Sequence, residues 1–143
     1  GNDVINGGSD DDTLYGGSGN DTINGDSSND VIIGGYGADT LAGNDGADTY
    51  KFLDAKDTGD TIAFLAGDKL DFSAIDAKLS SSGDDAFKFV AAQSKTLQAN
   101  SINWFVEDGN TIVQFDNDGN TATAEFEIKL LGTVALTQND IVL

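Results

Sequence analysis

Cysteine and histidine are both absent from this chain of 143 residues. Without cysteine there is neither a disulfide nor a thiolate metal site. Without histidine the commonest general base and the commonest zinc ligand are gone. A Ser-His or Cys-His nucleophile pair is excluded on the same ground. Basic residues are scarce: 7 Lys plus Arg stand against 25 Asp plus Glu, a formal net charge of −18. Nucleic acid is therefore not an expected partner, because phosphates need a basic face, and an anionic membrane surface would repel the chain. No run of about 18 apolar residues is present, so no transmembrane segment is expected. No signal peptide is visible. The chain does not begin with Met, and Gly1 falls inside a repeat, so a segment cut from a longer protein is expected. Negative charge in this excess implies either disorder or a bound counter-charge.

What is present is a period. Asp3, Asp12, Asp21, Asp30, Asp39 and Asp48 recur every nine residues. Two residues after each stands a large side chain: Ile5, Leu14, Ile23, Ile32, Leu41 and Tyr50. Glycine opens the units at Gly7, Gly16, Gly25, Gly34 and Gly43. The units read GGSDDDTLY, GGSGNDTIN, GDSSNDVII, GGYGADTLA and GNDGADTYK, after a truncated GNDVIN, with the consensus GGxGxDxUx, where U is apolar.

This spacing has a mechanical reading. Glycines permit positive φ and close approach of carbonyl oxygens. The last three residues of a unit, such as Thr22-Ile23-Asn24, suit a short strand with U inward and its neighbours outward. If two units make one turn, units n and n+2 stack about 4.8 Å apart. Ile5, Ile23 and Leu41 then form one ladder, and Leu14, Ile32 and Tyr50 the other. The aspartates stack likewise, Asp3-Asp21-Asp39 on one edge and Asp12-Asp30-Asp48 on the other. Carboxylates about 5 Å apart repel by roughly 3 kcal/mol at an effective dielectric near 20. Summed over the stack, that repulsion rivals the stability of a domain. A divalent cation between turns inverts its sign. Oxygen-only ligands with flexible geometry select Ca²⁺ over Mg²⁺ or Zn²⁺. Composition alone favours a disordered polar linker; the strict phase argues against it for the calcium-loaded chain, while without calcium the linker description is expected to hold.

The consensus resembles the RTX repeat of exported bacterial proteins, which forms a parallel β-roll. The resemblance implies an all-β fold, a parallel roll with two units per turn followed by an antiparallel β cap. It implies about four to six Ca²⁺ ions, each held by two carbonyls and an aspartate from one turn and the same set eighteen residues on. Carried over, one site takes Gly17, Gly19, Asp21, Gly34, Tyr36 and Asp39, with Gly35 and Gly37 in the same unit. Another takes Gly8, Asp10, Asp12, Gly25, Ser27 and Asp30. A third takes Asp26, Ser28, Asp30, Gly43, Asp45 and Asp48. A fourth takes Gly1, Asp3, Gly16, Ser18 and Asp21 and lacks one ligand. Ser28 stands where glycine is expected, so the third site is expected to be strained or weaker.

After Lys51 the repeat stops and apolar density rises. Strands are expected at 49–53, 61–65, 69–72, 86–90, 102–106, 111–115, 124–131 and 141–143. Glu107-Asp108-Gly109-Asn110 is a hairpin signal. Short helical turns are expected at 73–78 and 91–99. Residues 1–51 are read as the roll and 52–143 as a cap, together one continuous structural domain, because a solenoid end otherwise exposes apolar groups and unpaired backbone. The pieces GADTYKF, DTIAFLAGDKLDFSAID, DDAFKFV, FDNDGNTATAEFEIKLLG and NDIVL resemble the C-terminal domain of serralysin-type metalloproteases. That resemblance implies further calcium ligands at Asp57 and Asp60, and Asp57 also continues the nine-residue count from Asp48. Asp116-Asn117-Asp118-Gly119-Asn120, with Glu125, looks like half of a calcium loop but departs from the EF-hand pattern; a solvated β-turn and an ion-binding turn both fit. The tail Asp140-Ile141-Val142-Leu143 resembles the acid-plus-hydrophobic signal read by type I secretion systems, and equally suits a last strand.

No catalyst is expected. The serralysin zinc motif HExxHxxGxxH needs histidines this chain lacks, and no glycosidase-type pair stands apart from the regular carboxylates. The leading expectation is a calcium-folded module of a larger secreted protein. It would be unfolded at cytosolic calcium, folded outside the cell, and partnered by the type I secretion machinery and by an upstream domain of the same polypeptide. Alternatives are a polysaccharide-binding accessory module like those of alginate epimerases, or the end of a surface adhesin or S-layer protein. The seven lysines, Lys51, Lys56, Lys69, Lys78, Lys88, Lys95 and Lys129, give the repeats no basic strip for an acidic polymer, whereas Tyr15, Tyr36 and Trp104 suit sugar rings if exposed.

Overall fold

A computed structural model describes residues 1–75 and 87–143. The repeat region forms short strands, each opening on a β-branched residue directly after the repeat aspartate. They are β1 (Val4–Gly8), β2 (Thr13–Ser18), β3 (Thr22–Ser27), β4 (Val31–Tyr36), β5 (Thr40–Asp45) and β6 (Thr49–Lys51). Odd and even strands separate into two sheets, as a turn of two units requires. Strand β3 lies parallel between β1 and β5, and β4 parallel between β2 and β6.

The apolar ladders stand in the expected register. Ile5 faces Ile23 and Ile23 faces Leu41 on one sheet; Leu14 faces Ile32 and Ile32 faces Tyr50 on the other. All but the half-buried Ile5 are buried. One apolar residue per unit therefore becomes a two-row interior only through stacking.

Parallel stacking continues past Lys51, where the sequence repeat stops. Strand β7 (Thr61–Ala63) adds to β5, and β8 (Lys69–Asp71) adds to β6. Ile62 and Leu70 extend the ladders and are fully buried. The remaining strands are β9 (Lys88–Phe89), β10 (Ser101–Glu107), β11 (Asn110–Asp116), β12 (Phe126–Leu130) and β13 (Ile141–Val142), the last preceded by a 3-10 turn at Gln138–Asp140. β10, β11 and β12 form an antiparallel meander, whereas its joints to the roll are parallel, β12 on β7 and β13 on β8. The sheets thus run β1-β3-β5-β7-β12-β11-β10-β9 and β13-β8-β6-β4-β2.

The β10–β11 connection is the expected hairpin, with Asp108 and Gly109 at φ 49° and 79°; two positive φ values match the twist of the flanking strands. Of the two stretches expected to hold helical turns, 91–99 contains bends and turns without a helix. The other begins as a turn at 73–75, and its part at 76–78 lies outside the described residues, as does residue 86 of an expected strand. Phe52, Phe72, Phe115 and Phe126 fill the junction of roll and cap. Phe115 stacks on Phe126 at 4.5 Å between centroids and Phe52 on Phe72 at 5.0 Å, with Phe126 edge-on to both Phe52 and Phe72. Such stacked and edge-on pairs add to the burial they bring.

Candidate metal centre

Each repeat aspartate is tied to the next turn, and from Asp21 onward its carboxylate is held as well. Its backbone N–H donates to the carboxylate of the aspartate one turn on. Asp3 donates to Asp21 Oδ1 at 2.7 Å, Asp21 to Asp39 at 2.7 Å, and Asp39 to Asp60 at 2.8 Å. On the other edge Asp12 donates to Asp30 at 2.8 Å, Asp30 to Asp48 at 2.9 Å, and Asp48 to Asp68 at 3.1 Å. Oδ1 is therefore spent on the backbone. The second oxygen, Oδ2, of Asp21, Asp30, Asp39, Asp48 and Asp60 is buried with no hydrogen-bond partner. A buried carboxylate oxygen without a donor is costly, and five in two columns are a set of acceptors directed at something other than protein. Hard oxygen donors without nitrogen or sulfur fit a calcium ion.

The unit-opening glycines explain themselves through this geometry. A Cβ on Gly7, Gly16, Gly25, Gly34 or Gly43 would run into the carboxylate five residues later. None of these five has a positive φ. They are glycine for room, the close approach rather than the positive φ that glycine permits. Positive φ belongs to later glycines of the unit, such as Gly35 at 95° and Gly37 at 140°. There a Cβ would strike the carbonyls of Gly17 and Gly19 one turn below.

The carbonyls expected to share an ion divide into two groups. Those of Gly17, Gly19 and Ser28 open toward the next turn, facing Gly35, Gly37 and Gly46. Those of Gly25, Gly34 and Gly43 turn back toward Gly7, Gly16 and Gly25. The Tyr36 carbonyl accepts the Gly19 N–H at 2.9 Å, and the Ser18 carbonyl accepts the Gly1 amino group at 2.6 Å. Gly8 pairs in register with Asp26, and Ser27 with Asp45. Asp10, Asp26 and Asp45 are exposed at the rim. Asp26, Ser28 and Asn44 hold positive φ of 76°, 84° and 70° without being glycine, so the third expected site sits on backbone that side chains disfavour.

At the far end of the roll, Asp57 and Asp60 lie with Asp39, one carboxylate oxygen of each within 4.8 Å of the others. All three are buried. Burial, with neighbouring carboxylates adding, pushes Asp57 up to about 7 and Asp60 up to about 8. Asp39, Asp48 and Asp68 are raised for the same first reason. A cation among them would reverse these shifts. Asp57 does not continue the column, although it falls on the nine-residue count. Asp60 takes that place, 21 residues after Asp39, and Asp68 takes the other, 20 after Asp48, where the repeat spaces them by 18. Asp68 is not among the ligands expected from the sequence. The signal was there: Asp60-Thr61-Ile62 and Asp68-Lys69-Leu70 repeat the Asp-x-apolar triplet, displaced by insertions.

Residues 1–32 and 15–50 match the family model described as RTX calcium-binding nonapeptide repeat (4 copies). The repeat segment is of the RTX family. RTX repeats bind calcium, which agrees with the unpartnered oxygens of the roll. Among solved structures, the chain resembles the AlgE6R3 subunit of the Azotobacter vinelandii mannuronan C5-epimerase. They are 28% identical, with a TM-score of 0.66, over 99% of this chain and 80% of that one. It also resembles the AlgE6R2 subunit of the same organism's epimerase, at 26% identity and a TM-score of 0.60, over 100% of this chain and 92% of that one. No curated protein sequence matches significantly.

A second acidic group lies in the cap, away from the roll's carboxylate columns. Asp116, Asp118 and Glu125 each place a carboxylate oxygen within 4.8 Å of the others. Asp116 and Asn117 are buried, so the turn is not the wholly solvated one that composition allowed.

Proposed function

We propose that this chain is a calcium-dependent folding module of a larger exported protein, disordered where calcium is scarce and rolled up where it is plentiful. The reading rests on one observation: buried Oδ2 atoms of five stacked aspartates without hydrogen-bond donors, in a segment that matches calcium-binding repeats. The ligand sets are those given above, Asp39, Asp57 and Asp60 included, with Asp68 added beside Asp48, and about four to six ions in the whole chain. Calcium modules outside cells have dissociation constants of about 0.1–1 mM, far above cytosolic calcium. Binding to the folded state alone then pulls the chain into the roll by mass action. An unfolded chain can pass a narrow type I export channel; a rolled one cannot. The module itself is not catalytic, and 1–51 with 52–143 act as one folding unit.

The test is far-UV circular dichroism. Adding a few millimolar calcium to chelator-treated protein should turn coil into β, and equal magnesium should not. A chain equally folded without calcium defeats the reading.

A second reading is contact with a polysaccharide. Two observations favour it: the likeness to subunits of a mannuronan C5-epimerase, and exposed Tyr15 and Tyr36 beside a pocket of about 180 Å³ shared with Leu53, Asp54 and Asp57. The two acids in that pocket disfavour a uronate polymer. Titration with alginate oligomers and with neutral glycans, followed through tyrosine fluorescence, distinguishes the cases.

A further inference from the structure

We infer that the cap carries a divalent-cation site of its own, separate from the roll, formed by Asp116, Asp118 and Glu125 in the turn between β11 and β12. Asp116 ends β11, and Glu125 immediately precedes β12, its N–H donating to the Phe115 carbonyl at 3.2 Å. One carboxylate oxygen from each of the three acids falls within 4.8 Å of the others. Two oxygens bound to one calcium at 2.3–2.6 Å stand at most about 5 Å apart, so a single ion can touch all three.

A solvated acidic turn would leave its carboxylates in water. Here Asp116 is 0% exposed. Its Oδ1 accepts the N–H groups of Asp118 at 3.0 Å and Gly119 at 2.7 Å, while Oδ2 is buried with no hydrogen-bond partner. This is the condition of the roll aspartates, found again in an unrelated element. Among the described residues no lysine or arginine forms an ion pair with any of the three acids. A buried carboxylate beside two more negative groups needs a positive partner, and a cation supplies one. The donors are carboxylate oxygens alone, which selects calcium over zinc. Asp118 and Glu125 are only partly or not buried, so the ion has a path in and room for water ligands. Bound there, it would fasten the turn to the Phe115–Phe126 stack on which the cap is built.

Native mass spectrometry of the whole chain at saturating calcium tests this. The Asp118→Asn, Glu125→Gln protein should carry one calcium fewer than the unsubstituted chain, with the same far-UV spectrum. An equal count overturns the site. If the doubly substituted chain does not regain β structure in calcium, anomalous difference density from calcium-grown crystals of the unsubstituted chain decides. A peak bounded by Asp116, Asp118 and Glu125 upholds the proposal, and its absence there overturns it.

Discussion

At Asp60 the two oxygens of one carboxylate have different duties. Oδ1 accepts the Asp39 N–H at 2.8 Å and Oδ2 accepts nothing. Replacement by asparagine keeps the acceptor and removes the charge. Asp60→Asn should therefore weaken calcium binding, lowering the urea midpoint of the calcium-loaded chain and raising the calcium concentration at the midpoint of its coil-to-β transition. The same residue sets a pH dependence. In the calcium-free fold Asp60 is raised to about 8 and Asp57 to about 7, both first by burial, from an ordinary 3.8. The folded state then keeps protons that the unfolded state has released. Their stabilising contribution is complete below about pH 4 and is lost as pH rises through about 7 to 8. Calcium must displace those protons to bind, so calcium affinity, read as the calcium midpoint of the coil-to-β transition, should rise from pH 5 to pH 8.5. Glycines offer a cleaner steric test. Gly35→Ala adds a collision with the Gly17 carbonyl to the strain of a φ of 95°, whereas Gly8 has a φ of 117° with open space around it. The first should cost about 3 kcal/mol and the second about 1 kcal/mol in calcium-loaded unfolding.

At the scale of elements, Tyr50 bridges the two sheets. From β6 its hydroxyl donates to the Ala63 carbonyl at 3.1 Å and accepts the Gly43 N–H at 2.8 Å. Tyr50→Phe leaves the buried Gly43 donor without a partner and should cost about 1–3 kcal/mol, measured by denaturant unfolding in saturating calcium. Tyrosine at the apolar position of the last unit thus announces the end of the pattern, because only there does the ladder residue reach across to the opposite sheet. Strands β1 to β6 were legible because a nine-residue period forces glycine, aspartate and the apolar residue into fixed phase. The continuation through β7 and β8 was only half legible. Its strands were expected but not its register, since two or three inserted residues per turn break the count while leaving the Asp-x-apolar triplet intact. The parallel joints of β12 to β7 and β13 to β8 have no local signature. They follow from which strand edge the roll leaves open, which is a property of the assembled sheet. The acidic turn after β11 was visible as a motif, but the burial of Asp116 comes from the packing beneath it.

For the molecule as a whole, roll and cap are joined by more than the phenylalanine cluster. The segment inserted before β7 holds β12 directly: Thr58 Oγ1 donates to the Glu127 carbonyl at 2.9 Å and accepts the Glu127 N–H at 2.8 Å, and Gly59 N–H donates to the same carbonyl at 2.8 Å. That segment also carries Asp57 and Asp60. This end of the roll is thus the one tied to the cap, and amide exchange should be graded along the roll. In calcium, protection at the Asp48 and Asp39 amides should exceed that at the Asp12 and Asp3 amides by about tenfold or more, as hydrogen–deuterium exchange can measure. Equal protection throughout would show a roll that opens as one block. The grading follows from a directional detail. The amides of the six repeat aspartates, Asp3 to Asp48, each lean on the carboxylate of the turn after, never of the turn before. Fraying the leading turn deprives its successor of a donor that water can replace. Losing a trailing turn strips its predecessor of an anchor. Assembly should accordingly run tail to head. Were the chain to leave an export channel C-terminus first, the self-supporting rung would meet calcium first and each emerging rung would find its footing already laid.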